Sequence, residues 1–298
     1  MADSSPGTTL AQATPTTGAS LPEIRTYFQG KADAYDDVDA QPYWMLSDEL
    51  LWWALENYVL PRLPEGFRFL DAGGGTGRWT HRFATNRPDS SGLLYDLTPE
   101  MSDHARRKAD AHGYPERLRV RNGDLADVGT ELAGERFDLI FNFHNVLGFV
   151  ADPGEVIASL AGLLTPRGLL VSFVPSRWHA AFFNLSLGNV AEAERCLAGR
   201  GGFTDTMPDM HLFTPDGLTE LHRAAGLGID VLTGFPSLLY PGYQETQLHG
   251  STDRLERLLS DRAQVERLIA LEQRTMAEPA AVGRGNNLFS VASRERTA

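Results

Sequence analysis

The stretch FLDAGGGTGRW, residues 69–79, decides how the rest of the chain is read. It opens on a short apolar run, passes through positions 73–77, all glycine except Thr76, and continues into residues that favour a helix. A strand that feeds a helix through so bare a turn belongs to a doubly wound sheet, where the guest lies across the carboxyl ends of the strands. Two familiar guests are excluded by spacing. The dinucleotide fingerprint needs G-x-G-x-x-G/A, and counting from Gly73 puts Arg78 in the last place, while counting from Gly74 puts Thr76 in the second. A Walker loop ends in Gly-Lys-Ser/Thr, which this turn does not. A guest without phosphate but with an amino-acid tail suits it better: Asp71 offers a charge to an ammonium group, and Gly73 and Gly75 leave backbone open to close approach.

Outward from the turn, short apolar segments alternate with helical periods. FRFLDA (67–72), GLLYD (92–96), RLRVRNGD (117–124), FDLIFNF (137–143), GLLVSFV (168–174) and GIDVLTGF (228–235) read as strands. Thr98-Pro99-Glu100 and Asp152-Pro153 open helices with a cap followed by proline at the first helical position. Strands this apolar, separated by helices, are buried on both faces, so the fold expected is α/β with a mostly parallel, doubly wound sheet. NNLFSVASRE (286–295) is expected as an edge strand. Asp96 ends the second strand about 20 residues past the glycines, where a carboxylate can take both hydroxyls of a ribose, with Leu97 beside it. Asp124 ends the third strand, placed for an exocyclic amine, and Leu125 gives a purine ring an apolar face.

The chain has 298 residues, 42% of them hydrophobic, enough for one sizeable core. Residues 1–20 read as a disordered Ser/Thr/Pro/Ala tail, 21–62 as a helical N-terminal cap, and 63–298 as the binding domain, with cap insertions at about 176–212 and 236–282. Residues 252–276 form a long helical segment with Leu255, Leu258, Leu259, Val265, Leu268 and Ile269 in one stripe, covering the core or a second copy in a homo-oligomer. The net charge of −12 argues against nucleic acid, because a polyanion would be repelled over most of the surface. The single cysteine, Cys196, and the lack of a long apolar run predict a cytoplasmic protein without stable membrane association.

LDAGGGTGRW, LLYDLTPEM, RNGDLADV, FDLIFNFHNVLGFV and LLTPRGLLVSFVP, in that order, resemble the successive motifs of the class I S-adenosylmethionine-dependent methyltransferases of small-molecule type. The resemblance is close over about residues 66–175 and loose elsewhere. It implies a Rossmann-like seven-stranded sheet with an antiparallel last strand, S-adenosylmethionine over the glycine turn, S-adenosylhomocysteine as product, and a small-molecule acceptor of specialised metabolism beneath a variable cap. Under it Asn142 and Phe143 line the cofactor, and Tyr27 and Tyr35 resemble tyrosines that close over it. His144, at the end of the fourth strand, is the candidate base.

Two alternatives stand beside this reading. His144, His179 and His249 could converge on a divalent metal that acidifies the carbon next to a 2-oxo acid, making a C-methyltransferase, with Arg177 or Arg284 on the acid's carboxylate. The other is a protein that binds S-adenosylmethionine without catalysis.

Overall fold

The computed structural model describes residues 19–204, 206–239 and 258–294. The glycine turn leaves strand β1, Arg68–Ala72, and enters helix α3, Arg78–Asn86. Ahead of β1 come helices α1, Leu21–Gln29, and α2, Pro42–Tyr58, joined through a 3-10 segment, Ala32–Ala40. Past α3 follow β2, Ser91–Asp96; α4, Pro99–Ala111; β3, Leu118–Asn122; α5, Val128–Glu131; β4, Phe137–Asn142; α6, Val146–Phe149; α7, Pro153–Gly162; and β5, Leu164–Pro175. Helices α8, Arg177–Ser186, and α9, Val190–Leu197, then lead through the two-residue strands β6, Arg200–Gly201, and β7, Met210–His211. The remainder is α10, Pro215–Ala224; β8, Leu227–Phe235; α11, Arg262–Met276; and β9, Asn287–Arg294.

Seven strands form one sheet in the order β3-β2-β1-β4-β5-β9-β8. β1 to β5 pair in parallel, and β9 runs antiparallel to both neighbours. The strand order reverses between β1 and β4, so the carboxyl ends of β1 and β4 open the crevice where such sheets take a ligand. The expectation of an edge strand at 286–295 is corrected: β9 is interior, and Leu288 to Ala292 are fully buried. The run LFSVA has no alternation, and a strand covered on both faces needs none.

The two faces carry separate cores. Phe69, Phe141, Phe173 and Phe289 meet α2 and α11 on one side; Leu70, Ile140, Leu170 and Leu288 meet α7 and α10 on the other. Helix α2 buries Leu46, Leu50, Leu51, Ala54 and Leu55, so residues 42–58 are a layer of the core. Trp53 and Tyr58 pack partly buried against the same core, and Asn57 is exposed.

The long helix expected over 252–276 is broken at Asp261, whose Oδ1 accepts from the N–H groups of Ala263 and Gln264 and so starts α11. Leu258, Leu259, Val265, Leu268 and Ile269 pack on the first core, which settles the covered partner of that stripe; Leu255 lies outside the described residues. The insertion after β5 has a small core of its own around Phe183, Cys196, Phe203 and Met210. Among the described residues no helix is long and apolar enough to cross a membrane.

Candidate active site

The glycine turn is shaped by three left-handed residues, Gly73 (φ 84°), Gly75 (φ 53°) and Gly77 (φ 74°), a region that side chains rarely tolerate. Gly73 also lies against α6: a Cβ there would meet Val146 Cγ1 at 2.4 Å. Gly77 would meet Ala105 Cβ of α4 at 2.7 Å. The close helix packing that a dinucleotide fingerprint assigns to its last glycine is thus supplied one residue early, which frees position 78 for arginine. Arg78 points into the N-terminal segment, where it pairs with Asp39 and Asp48.

Above the turn is a cleft with about 1160 Å³ of empty space, its open mouth included. Asp71, Asp96 and Asp124, from the ends of β1 and β2 and the residue pair after β3, all line it, as do Gly73 and Gly75. Asp96 is the best anchored: its Oδ2 accepts from Gly75 N–H and its Oδ1 from Thr98 N–H, both at 2.8 Å. Asp71 accepts from the Thr80 hydroxyl at 2.7 Å. Asp124 uses Oδ1 to cap the following turn through Ala126 N–H at 3.0 Å. Leu97, Leu125, Phe143 and His144 stand on the walls, and Tyr35 reaches in from the N-terminal segment.

Burial gives the two inner acids unusual titration. Asp71 is pushed up to about 7 by desolvation, with the nearby Asp96 charge adding to the rise against the Thr80 hydrogen bond. Asp96 is pushed up to about 6 by desolvation, against the pull of its two backbone donors. The Tyr35 phenol is raised by burial to about 12, so it stays a neutral donor near neutral pH. Both carboxyls hold their protons to higher pH than an unfolded chain would, so their contribution to stability falls as pH rises from about 4 to about 7. A cationic guest requires them ionised. Binding of such a guest is therefore expected to release protons near pH 6 and to tighten as pH rises towards 7. Calorimetry in two buffers of different ionisation enthalpy reads this directly, and identical heats in both would contradict it.

Several expected positions are corrected. Tyr27 does not line the cleft; its ring sits under Lys31 Nζ, which donates to its hydroxyl. Its helical neighbours on the next face, Ile24 and Phe28, line the cleft instead, and the apolar i, i+4 pair in α1 was the available signal. Asn142 is buried on the other face of β4, because successive strand residues alternate sides, and does not reach the cleft. His179 packs against Phe183 and Phe203 in the insertion's core. Among the described residues no three His, Cys, Asp or Glu side chains could hold a metal, and His249 lies outside them. Arg177 lies against Gly199, with Nη2 3.4 Å from Leu212 O, away from the cleft. Unanticipated wall residues are Trp79, Val146, Phe149 and Val150; the last three repeat at the i, i+3, i+4 spacing of one helix face.

Residues 70–170 match the sequence model of the family described as "Methyltransferase domain". Over about a third of its length the chain thus matches a methyltransferase domain. That segment spans β1 to β5 and holds the glycine turn and all three acids of the cleft. Among curated relatives, the tRNA 5-carboxymethoxyuridine methyltransferase of Escherichia coli is 32% identical over 144 residues, 48% of this chain and 54% of that protein. The match thus spans about half the length of that relative. Around that segment the whole fold is shared more widely. The [4+2]-cyclase SpnF superposes with a TM-score of 0.60 at 16% identity, covering 94% of this chain and 99% of that one. A methyltransferase complexed with the Trm112 activator of Haloferax volcanii gives 0.58 at 18% identity, with 92% and 99% covered.

Proposed function

We propose that the protein is an S-adenosylmethionine-dependent methyltransferase acting on a small organic acceptor. The observation that carries this reading is the convergence of Asp71, Asp96 and Asp124 on one cleft over the glycine turn. These residues fit the cofactor. Asp71 suits its ammonium group; Asp96, with both oxygens already oriented by backbone donors, suits the ribose hydroxyls; Asp124 keeps Oδ2 for an exocyclic amine between Leu97 and Leu125. Bound there, S-adenosylmethionine supplies an electrophilic methyl group on a sulfonium and is left as S-adenosylhomocysteine.

The chain's own part is alignment and exclusion of water. Trp79 and Phe143, stacked edge to face at 5.2 Å, give the cleft a dry aromatic wall. Phe28 closes on Phe149 at 5.2 Å, bringing α1 over the nucleoside side. Three carboxylates, Asp71, Asp96 and Asp124, line the cleft against one cation, Arg78, among the described residues. That balance and the chain's net charge of −12 favour a neutral or cationic small acceptor over a nucleic acid. The E. coli relative acts on tRNA by name, so tRNA is the competing acceptor. SpnF is a cyclase by name, so the fold alone does not fix the reaction. The metal-assisted alternative has no support among the described residues.

Calorimetric titration with S-adenosylhomocysteine and with NAD, followed by transfer from labelled S-adenosylmethionine to small phenols, amines, acids and bulk tRNA, tests the proposal. The expected result is binding of the homocysteine nucleoside alone and label in a small acceptor. Binding of NAD alone, or label in tRNA alone, overturns it.

A further inference from the structure

One wall of the cleft holds two acceptors and only one proton between them. Trp79 Nε1 lies 2.6 Å from His144 Nε2. An indole N–H can only donate, so Nε2 carries its lone pair and the ring proton is on Nδ1. Asp48 Oδ1 stands 3.4 Å from the same Nε2, buried and without a hydrogen-bond partner among the described residues, while Oδ2 holds Arg78. In the absence of the indole, a carboxylate so placed draws the imidazole proton onto Nε2 and favours the charged ring. Trp79 and Asp48 therefore compete for one nitrogen, and Trp79 has it.

The surroundings hold the ring where this competition is decided. Trp44 and Phe173 make edge contacts with it, each at 6.0 Å, and the Trp79 ring lies 5.9 Å away at a shallow angle. His144 (φ 52°) and Asn145 (φ 72°) are consecutive left-handed residues, neither of them glycine. Such backbone costs free energy and persists only where neighbours over-determine it. Asn287 Nδ2 fixes Asn145 Oδ1 at 2.6 Å from β9, while Trp79 fixes the imidazole from α3.

We propose that Trp79 is a positioning residue: its indole N–H pins His144 as the uncharged Nδ1–H tautomer and keeps an Asp48–His144 ion pair from forming in the methyl-transfer cleft. The consequence for the cofactor rests on the function proposed above. An imidazolium in a poorly solvated cleft would repel a sulfonium and leave the neutral thioether product unaffected.

The test is a long-range proton–nitrogen correlation spectrum of the 15N-labelled full chain near neutral pH, with His144 assigned by its loss in His144→Gln. The wild-type ring is expected as Nδ1–H. Trp79→Phe, which keeps an aromatic ring and removes the N–H, is expected to move the proton to Nε2 or to give the doubly protonated ring. In that variant the affinity for S-adenosylmethionine is expected to fall about tenfold relative to that for S-adenosylhomocysteine. Adding Asp48→Asn should restore the ratio.

A wild-type Nε2–H tautomer, or a variant with the tautomer unchanged, overturns the proposal; a changed tautomer with an unchanged ratio overturns its electrostatic half. Should the variant fail to fold, the wild-type tautomer decides. Failure of both proteins to bind either nucleoside sinks the cofactor reading, and the nitrogen spectra still judge the role of Trp79.

Discussion

Asp96→Ala is expected to weaken S-adenosylhomocysteine binding by about two to four orders of magnitude while leaving the protein folded. The side chain is held by Gly75 N–H and Thr98 N–H, so it reaches the cleft already oriented, and a ribose would lose two hydrogen bonds to a charged acceptor, each worth about 1.5–3 kcal/mol. The fold should tolerate the loss because the charge of Asp96 is unfavourably placed: burial raises it to about 6, and its charge helps to raise Asp71. Removing it relieves that repulsion, and water entering the cleft can serve the two freed amides. Calorimetry gives the affinity and a melting curve gives the stability. Affinity within about threefold of wild type would show that Asp96 does not meet the ligand.

The second large effect lies far from the cleft. Glu272→Ala is expected to destabilise the protein by about 3–5 kcal/mol, because each buried N–H left without an acceptor costs about 1–3 kcal/mol. Glu272 is fully buried on α11, and its oxygens accept from three consecutive backbone N–H groups, those of Ser237 at 2.7 Å, Leu238 at 2.7 Å and Leu239 at 2.9 Å, and from the Ser237 hydroxyl at 3.0 Å. Alanine would strand the three backbone donors, which cannot rotate away, while the Ser237 hydroxyl keeps Thr275 Oγ1 at 2.8 Å. Glu272→Gln keeps one accepting oxygen but turns an amide N–H₂ towards the donors, so it should fall between wild type and alanine. Denaturant unfolding monitored by tryptophan fluorescence reads the series. A loss below about 1 kcal/mol for alanine would mean that the loop finds other acceptors.

What the sequence made legible follows from how local each signal is. The glycine turn and the acids at 71, 96 and 124 could be placed because each sits at a strand end, where chain direction alone sets position. Tyr27 was misplaced by one residue, and on a helix one residue is a rotation of about 100°. Asn142 failed for the matching reason in a strand, where one residue changes the face. Trp79 and Asp48 were invisible as a pair with His144, because their link is spatial across 65 and 96 residues, respectively, and leaves no periodic trace. The interior place of β9 was hidden by a different difficulty: strand order in a sheet is decided by long-range pairing, which a stretch of eight residues cannot declare.

That interior place bears on how the molecule is made. β8 borders β9 alone, and β9 lies between it and β5. A nascent chain that has emerged from the ribosome as far as Phe235 can close the parallel half of its sheet but has no strand to pair with β8, whose backbone donors and acceptors must wait for residues 287–294. β8 thus keeps an unpaired backbone edge until β9 is made, and this interval is where a chaperone would find its opening.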